Sequence, residues 1–171
     1  MADDYTGIFT HTEEQAKDLL SADAEIGLVS GTRIEVKTFE DEPRETALSY
    51  ADYELPAIAV SCDILEGDVD VSIGGLVAIV IGVNIFVITE AADQGARMTL
   101  CKDIAARVIT IMGQQYGANQ LSGLDDLVAD ADTGSVFTTV RDAVFDEVIS
   151  ESEPYRAIGE LLFGVQIDIT R

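Results

Sequence analysis

The chain has 171 residues, with 32 acidic against 10 basic side chains and a formal charge of −22. That balance argues against a nucleic-acid binder, which must neutralise phosphates with Lys and Arg, and against an anionic membrane surface. Hydrophobic residues at 47% exclude a disordered acidic tail, and the length suits one domain with a real core.

In chain order, residues 1–11 read as an arm. Thr12-Glu-Glu-Gln has the form of a capping box, with Thr12 as N-cap of a helix that carries Ala16, Leu19 and Leu20 and stops by about Ser30-Gly31. TRIEVKTFE, residues 32–40, sets Ile34 and Val36 against Arg33, Glu35 and Lys37, the alternation of a half-exposed strand. Residues 41–54 are acid-rich, contain Pro43, and read as a loop. LPAIAVSCDI, residues 55–64, is a second strand, and Glu66-Gly67-Asp68 a turn.

Val71 to Thr89 contains no charge and is long enough to cross a bilayer. Its flanks are acidic (Asp68, Asp70, Glu90, Asp93), without the Lys, Arg or aromatic anchors of a membrane span. Eleven of its nineteen residues are β-branched, which favours a pleated strand. From Val77 the odd positions are unbroken Val and Ile, while Ala78, Gly82 and Asn84 dilute the even ones. This predicts sheet in a soluble protein, as two strands or as one with a bulge near Gly74-Gly75, with one strongly apolar face and one partly covered.

The next segment has helical spacing. Met98, Cys101, Ile104, Val108 and Ile111 or Met112 form one stripe, with Lys102, Asp103 and Arg107 facing away. Residues 113–134 are rich in Gly, Asn and Asp and predict a long loop. In SVFTTVRDAVFDEVIS, Phe137, Val140, Val144 and Val148 would also line a helix, but Val, Phe and Thr dominate and favour a strand. The closing ELLFGVQIDITR alternates cleanly and is a strand. The fold class is therefore α+β, a mainly antiparallel sheet packed against two helices.

The surplus of acids with only three lysines resembles the surfaces of proteins from extreme halophiles. There the Debye length shrinks to about 3 Å at 1 M salt, and the carboxylates hardly repel each other. An ordinary acidic protein, or an acidic wall around a DNA conduit, would share the composition. Cys62 and Cys101 sit in apolar contexts and read as buried free thiols, and no signal peptide is visible, so an intracellular setting is expected.

No catalytic or metal motif stands out. Asp63, Glu66, Asp68 and Asp70 crowd one segment, and Asp130, Asp132 and Gly134 resemble part of a calcium loop. Gly134 and Arg141, however, occupy the places where that loop needs an oxygen ligand and a Glu. His11 is the only histidine and has no nucleophile in a recognisable context; neither a P-loop nor G-x-S-x-G occurs. No cofactor, metal or catalytic residue is expected.

Three stretches carry a family resemblance: the strand LPAIAVSC, the run GGLVAIVIGVNIFVITEAADQGARMTLCKDIAARVI, and the closing FGVQIDI. Over roughly residues 12–170 the chain resembles the tail terminator (tail completion) proteins of tailed viruses. Head–tail stoppers, adaptors and tail-tube subunits share similar small designs. The extreme acidity and the 113–134 insertion depart from that pattern. The resemblance implies a structural, non-enzymatic virion protein in the tail or neck. Several copies, six by analogy, would close a ring that ends tail-tube growth and joins tube to head connector. Its partners would be itself, the tail tube protein and the connector proteins, with DNA sliding through an acidic channel unbound. With the halophile composition this points to a virus of a haloarchaeon.

A closed ring needs two different patches on each subunit. The long loops are the candidates, with Pro43, Tyr50 and Tyr53 in one and Tyr116 in the other, since tyrosine is a favoured interface anchor. A tyrosine folded onto its own sheet is the alternative. Two rival classes remain: a halophile enzyme acting through a carboxylate pair, and a small ligand-binding domain.

Overall fold

In the computed structural model the described residues form two helices and five strands. The order is α1 (Ile8–Ala22), β1 (Glu35–Thr38), β2 (Ala57–Val71), β3 (Val77–Glu90), α2 (Gln94–Gly113), β4 (Asp132–Val148) and β5 (Arg156–Thr170). The structure describes residues 8–24, 26, 34–38, 56–71, 77–90, 93–113, 132–148 and 156–170. The strands make one sheet of order β1-β2-β3-β5-β4, in which β1 is parallel to β2 and every other pairing is antiparallel. This is the α+β class expected. Among the described residues, no helix is long and apolar enough to cross a membrane.

The charge-free stretch divides as one of the two expected arrangements. Val71 ends β2, Val77 opens β3, and the two residues pair with each other. On β3 the odd positions Ile81, Val83, Ile85 and Val87 are fully buried, in one cluster with Ile58 and Val60 of β2, Leu161 and Phe163 of β5, Leu20 of α1 and Ile104 of α2. Both helices therefore cover the same side of the sheet. The even positions face the far side, where Phe86 packs with Ala57, Ala59 and Ile158. That side is better covered than expected: Val80, Phe86 and Ile88 are all buried, while Asn84 and the terminal Glu90 are half-exposed.

Several local expectations are corrected. α1 begins at Ile8, so Thr12 lies buried inside the helix and does not cap it. The reason is Phe9, whose packing against the core rewards an earlier start. Glu66-Gly67-Asp68 is not a turn between strands but part of β2, at the register shift between Ile64 and Val69. There β2 has extra residues relative to β3, and a bulge absorbs them without ending the pairing. Arg107 does not face away. It makes two bonds to Asp23, from Nε to Oδ1 at 3.2 Å and from the terminal nitrogen to Oδ2 at 2.6 Å, and so ties α2 to the end of α1. Cys62 is half-buried rather than buried.

Most of the α2 stripe holds: Cys101, Ile104, Val108, Ile111 and Met112 are buried, Met98 is half-buried against them, and Lys102 and Asp103 are exposed. Asp93 caps the helix, its Oδ1 accepting the Ala96 amide at 2.7 Å. The Cys101 thiol donates to the Val87 carbonyl at 3.6 Å, and burial pushes its pKa up to about 11. Gly159 makes room at this contact. A Cβ there would stand 2.9 Å from Phe145 Cε1 and 3.3 Å from Cys101 Sγ. On the β2 side, pairing with β1 ends at Val60, and the Cys62 amide just beyond is taken by the buried Glu13 of α1, at 2.6 Å from Oε1.

Candidate functional site

The described residues hold no group of three or more His, Cys, Asp and Glu side chains placed to bind a metal. His11 lies within α1. The expected contact residues Pro43, Tyr50, Tyr53 and Tyr116 lie outside the described residues, as do 41–54 and 114–131. What stands out instead is the outer strand β4.

β4 lies on the sheet edge because, among the described residues, only β5 pairs with it. Its C-terminal end is held down by α2. Gln94 donates to Glu147, the buried Arg97 lies 4.0 Å from the same carboxylate, and Lys102 Nζ sits 5.8 Å above the Phe145 ring. This is within reach of a cation–π attraction. Arg156 on β5 pairs with Glu90 at 3.3 Å, fastening the same end of the sheet.

Towards its middle β4 emerges from this cover. Val140, Arg141, Asp142, Ala143 and Val144 are all exposed, and the large hydrophobics exposed among the described residues are Val140, at 45%, and Val144, at 52%. The register shifts between Val140 and Asp142, leaving Arg141 as the extra residue. The shift has a consequence for the two valines. Val140 stands opposite Phe163 on the helix side, whereas Val144 stands opposite Glu160 on the far side. A spacing of four that suggests a helical stripe thus serves a bulged strand with a valine on each face.

Acids frame Val144. Asp142 and Asp146 flank it two residues away on the same face, and exposed Glu160 faces it across the pair. Both aspartates turn onto their own backbone: Asp142 Oδ1 accepts the Ala143 amide and Asp146 Oδ1 the Glu147 amide, each at 2.8 Å. An open strand edge is a template for another strand, and charge along the edge is a common means of blunting it. The arrangement has no nucleophile–base pair and no cofactor cradle. It can bind another chain. The sequence signal for it was present in the charges Arg141, Asp142, Asp146 and Glu147, which a buried strand would not carry.

No protein-family model matches the sequence, and no curated protein matches it. Among solved structures, the fold is similar to that of a chain from the virion of a native gene transfer agent particle. The match has a TM-score of 0.57 at 17% identity and covers 95% of this chain and 96% of the other. The likeness extends over nearly all of both chains and shows a shared fold.

Proposed function

We propose that the protein is a structural, non-enzymatic component of a virion, and more specifically a tail-terminator subunit. Copies would form a ring at the head-proximal end of the tail tube, end its growth and join it to the head connector. The single observation that supports this most is the end-to-end fold match with a virion chain, 95% of one and 96% of the other. A chance likeness in a common sheet-and-helix motif would leave large parts of either chain unmatched. The open, partly apolar edge at Val140 and Val144 suits a subunit that meets other chains.

The finer parts of the reading rest on composition and on the sequence resemblance. The charge of −22 fits a virus of a halophilic archaeon and an acidic channel along which DNA slides without sticking. On this reading the chain acts as a single domain, and the segments with Pro43, Tyr50, Tyr53 and Tyr116 supply further subunit contacts. Its partners are its own copies, the tail tube and the connector.

The test is the mass and shape of the purified protein in low salt and in molar potassium chloride, by native mass measurement and electron imaging. Closed rings of several copies in high salt are expected. A compact monomer at every salt concentration would contradict the terminator role.

A further inference from the structure

The far side of the outer strand pair carries a regular pattern. Val144 stands opposite Glu160, Asp142 opposite Leu162 and Asp146 opposite Ile158. Acids and aliphatic residues therefore alternate both along each strand and across the pair. Asp142, Val144, Asp146 and Glu160 are exposed, and Leu162 and Ile158 are half-buried. Both helices pack on the other side of the sheet and leave this face uncovered by them.

The three acids of this face are not answered by bases. Arg97 lies against Glu147, Arg107 against Asp23 and Arg156 against Glu90, all away from it. Among the described residues, no base forms an ion pair with Asp142, Asp146 or Glu160, although Arg141 is the chain neighbour of Asp142. Each aspartate has one oxygen on its own backbone, at 2.8 Å. The second oxygen can still accept from outside, since a carboxylate offers several lone pairs.

We propose that this face docks an extended basic segment of another protein, with Arg or Lys on either side of an aliphatic residue. Same-face side chains on a strand recur about every 6.5–7 Å. An extended segment has the same period, so its alternate side chains stay in step with Asp142, Val144 and Asp146. Arginine suits the pattern best. Its stem can cover Val144 and Leu162 while its guanidinium takes a carboxylate with two parallel bonds. A second copy of this chain is the poorer occupant, because 32 acids against 10 bases bring chiefly like charge to the contact. A wholly apolar partner would bury three carboxylates without partners. Charge pairs enclosed by docking are screened less than open ones. The contact therefore outlasts, in molar salt, the general attraction of cations to an acidic surface. This inference goes beyond the ring reading and stands without it.

The experiment follows the fluorescence anisotropy of a short labelled peptide alternating Arg and Val, added to the full chain in molar potassium chloride. The peptide should bind, and an Arg–Ser peptide of equal charge should bind about tenfold more weakly. Neutralising the face with Asp142→Asn, Asp146→Asn and Glu160→Gln together should weaken the Arg–Val peptide by about tenfold, since exposed pairs are individually weak but three act at once. A control removes as much charge from exposed helix positions, by Glu14→Gln, Asp18→Asn and Asp103→Asn, and should leave binding unchanged. Far-UV circular dichroism checks that each variant keeps the fold. No binding by the unmutated protein, equal binding of the two peptides, or equal loss in the two triple variants overturns the proposal. Displacement of the peptide when the protein assembles with itself would give the face to a second copy and overturn it as well. None of these results depends on whether rings form, which is the separate test of the ring reading.

Discussion

β3 and β4 are neighbours of the same strand, β5, and differ in almost every other respect. β3 has no charge from Val77 to Thr89 and is buried on both faces over most of its described length. β4 carries Arg141, Asp142, Asp146 and Glu147 and is exposed from Val140 to Val144. The contrast separates two tasks within one sheet. The central strand holds the fold by burying β-branched side chains against the helices. The edge strand gives up burial and keeps valines, amides and acids where another chain can reach them.

Substitutions should expose this division, beginning with the largest effect. Ile85→Ala, which removes a fully buried side chain from the middle of β3, should lower unfolding free energy by about 2–5 kcal/mol in denaturant titrations. Gly159→Ala tests how closely the edge strand is clasped to the core. Its new Cβ would meet Phe145 at 2.9 Å and Cys101 at 3.3 Å, so a loss of about 1–3 kcal/mol from overpacking is expected. Phe145→Ala in the same chain should relieve part of that loss.

A smaller effect should follow pH. Burial raises the Cys101 thiol from 9.0 to about 11. The folded state thus holds this proton more tightly than the unfolded chain does. The associated stability is fully present below pH 9 and is lost as pH rises through about 11. Cys101→Ala should remove this dependence, read as a flatter curve of melting temperature against pH between those limits. The smallest effect on stability belongs to Val144→Ala, where an exposed edge residue should change unfolding by no more than about 0.5 kcal/mol. A loss at Val144 as large as that at Ile85 would erase the distinction between the strands.

The sequence makes the two strands unequally legible for the same physical reason. In the closing β5 the alternation shows in the described residues, with Leu161 and Phe163 buried and Glu160 and Leu162 not, while β3, buried on both faces, is legible from its charge-free run and unbroken odd-position Val and Ile. α2 is readable from its stripe, apart from Arg107, whose partner Asp23 is 84 residues away and leaves no local trace. β4 is harder. Its bulge at Arg141 breaks the alternation, so Val140 and Val144 mimic helical spacing, and only the abundance of Val, Phe and Thr identifies the strand. The bulge in β2 is hidden in the same way, because Glu66-Gly67-Asp68 has the chemistry of a turn while the strand continues through it. The expected tyrosine contacts come from loop length and residue type alone. The charges of β4 mark it locally as an exposed strand, but its place at the outside of the sheet needs the strand order, which no local pattern contains.

Amide hydrogen exchange, compared between the dissociated chain in low salt and the assembled protein in molar salt, tests the separation of tasks most directly. Amides of β3 should be protected to the same degree in both states, whereas those of β4 around Ala143 should gain strong protection on assembly. An assembled state in which β4 exchanges as fast as in the free chain would contradict this.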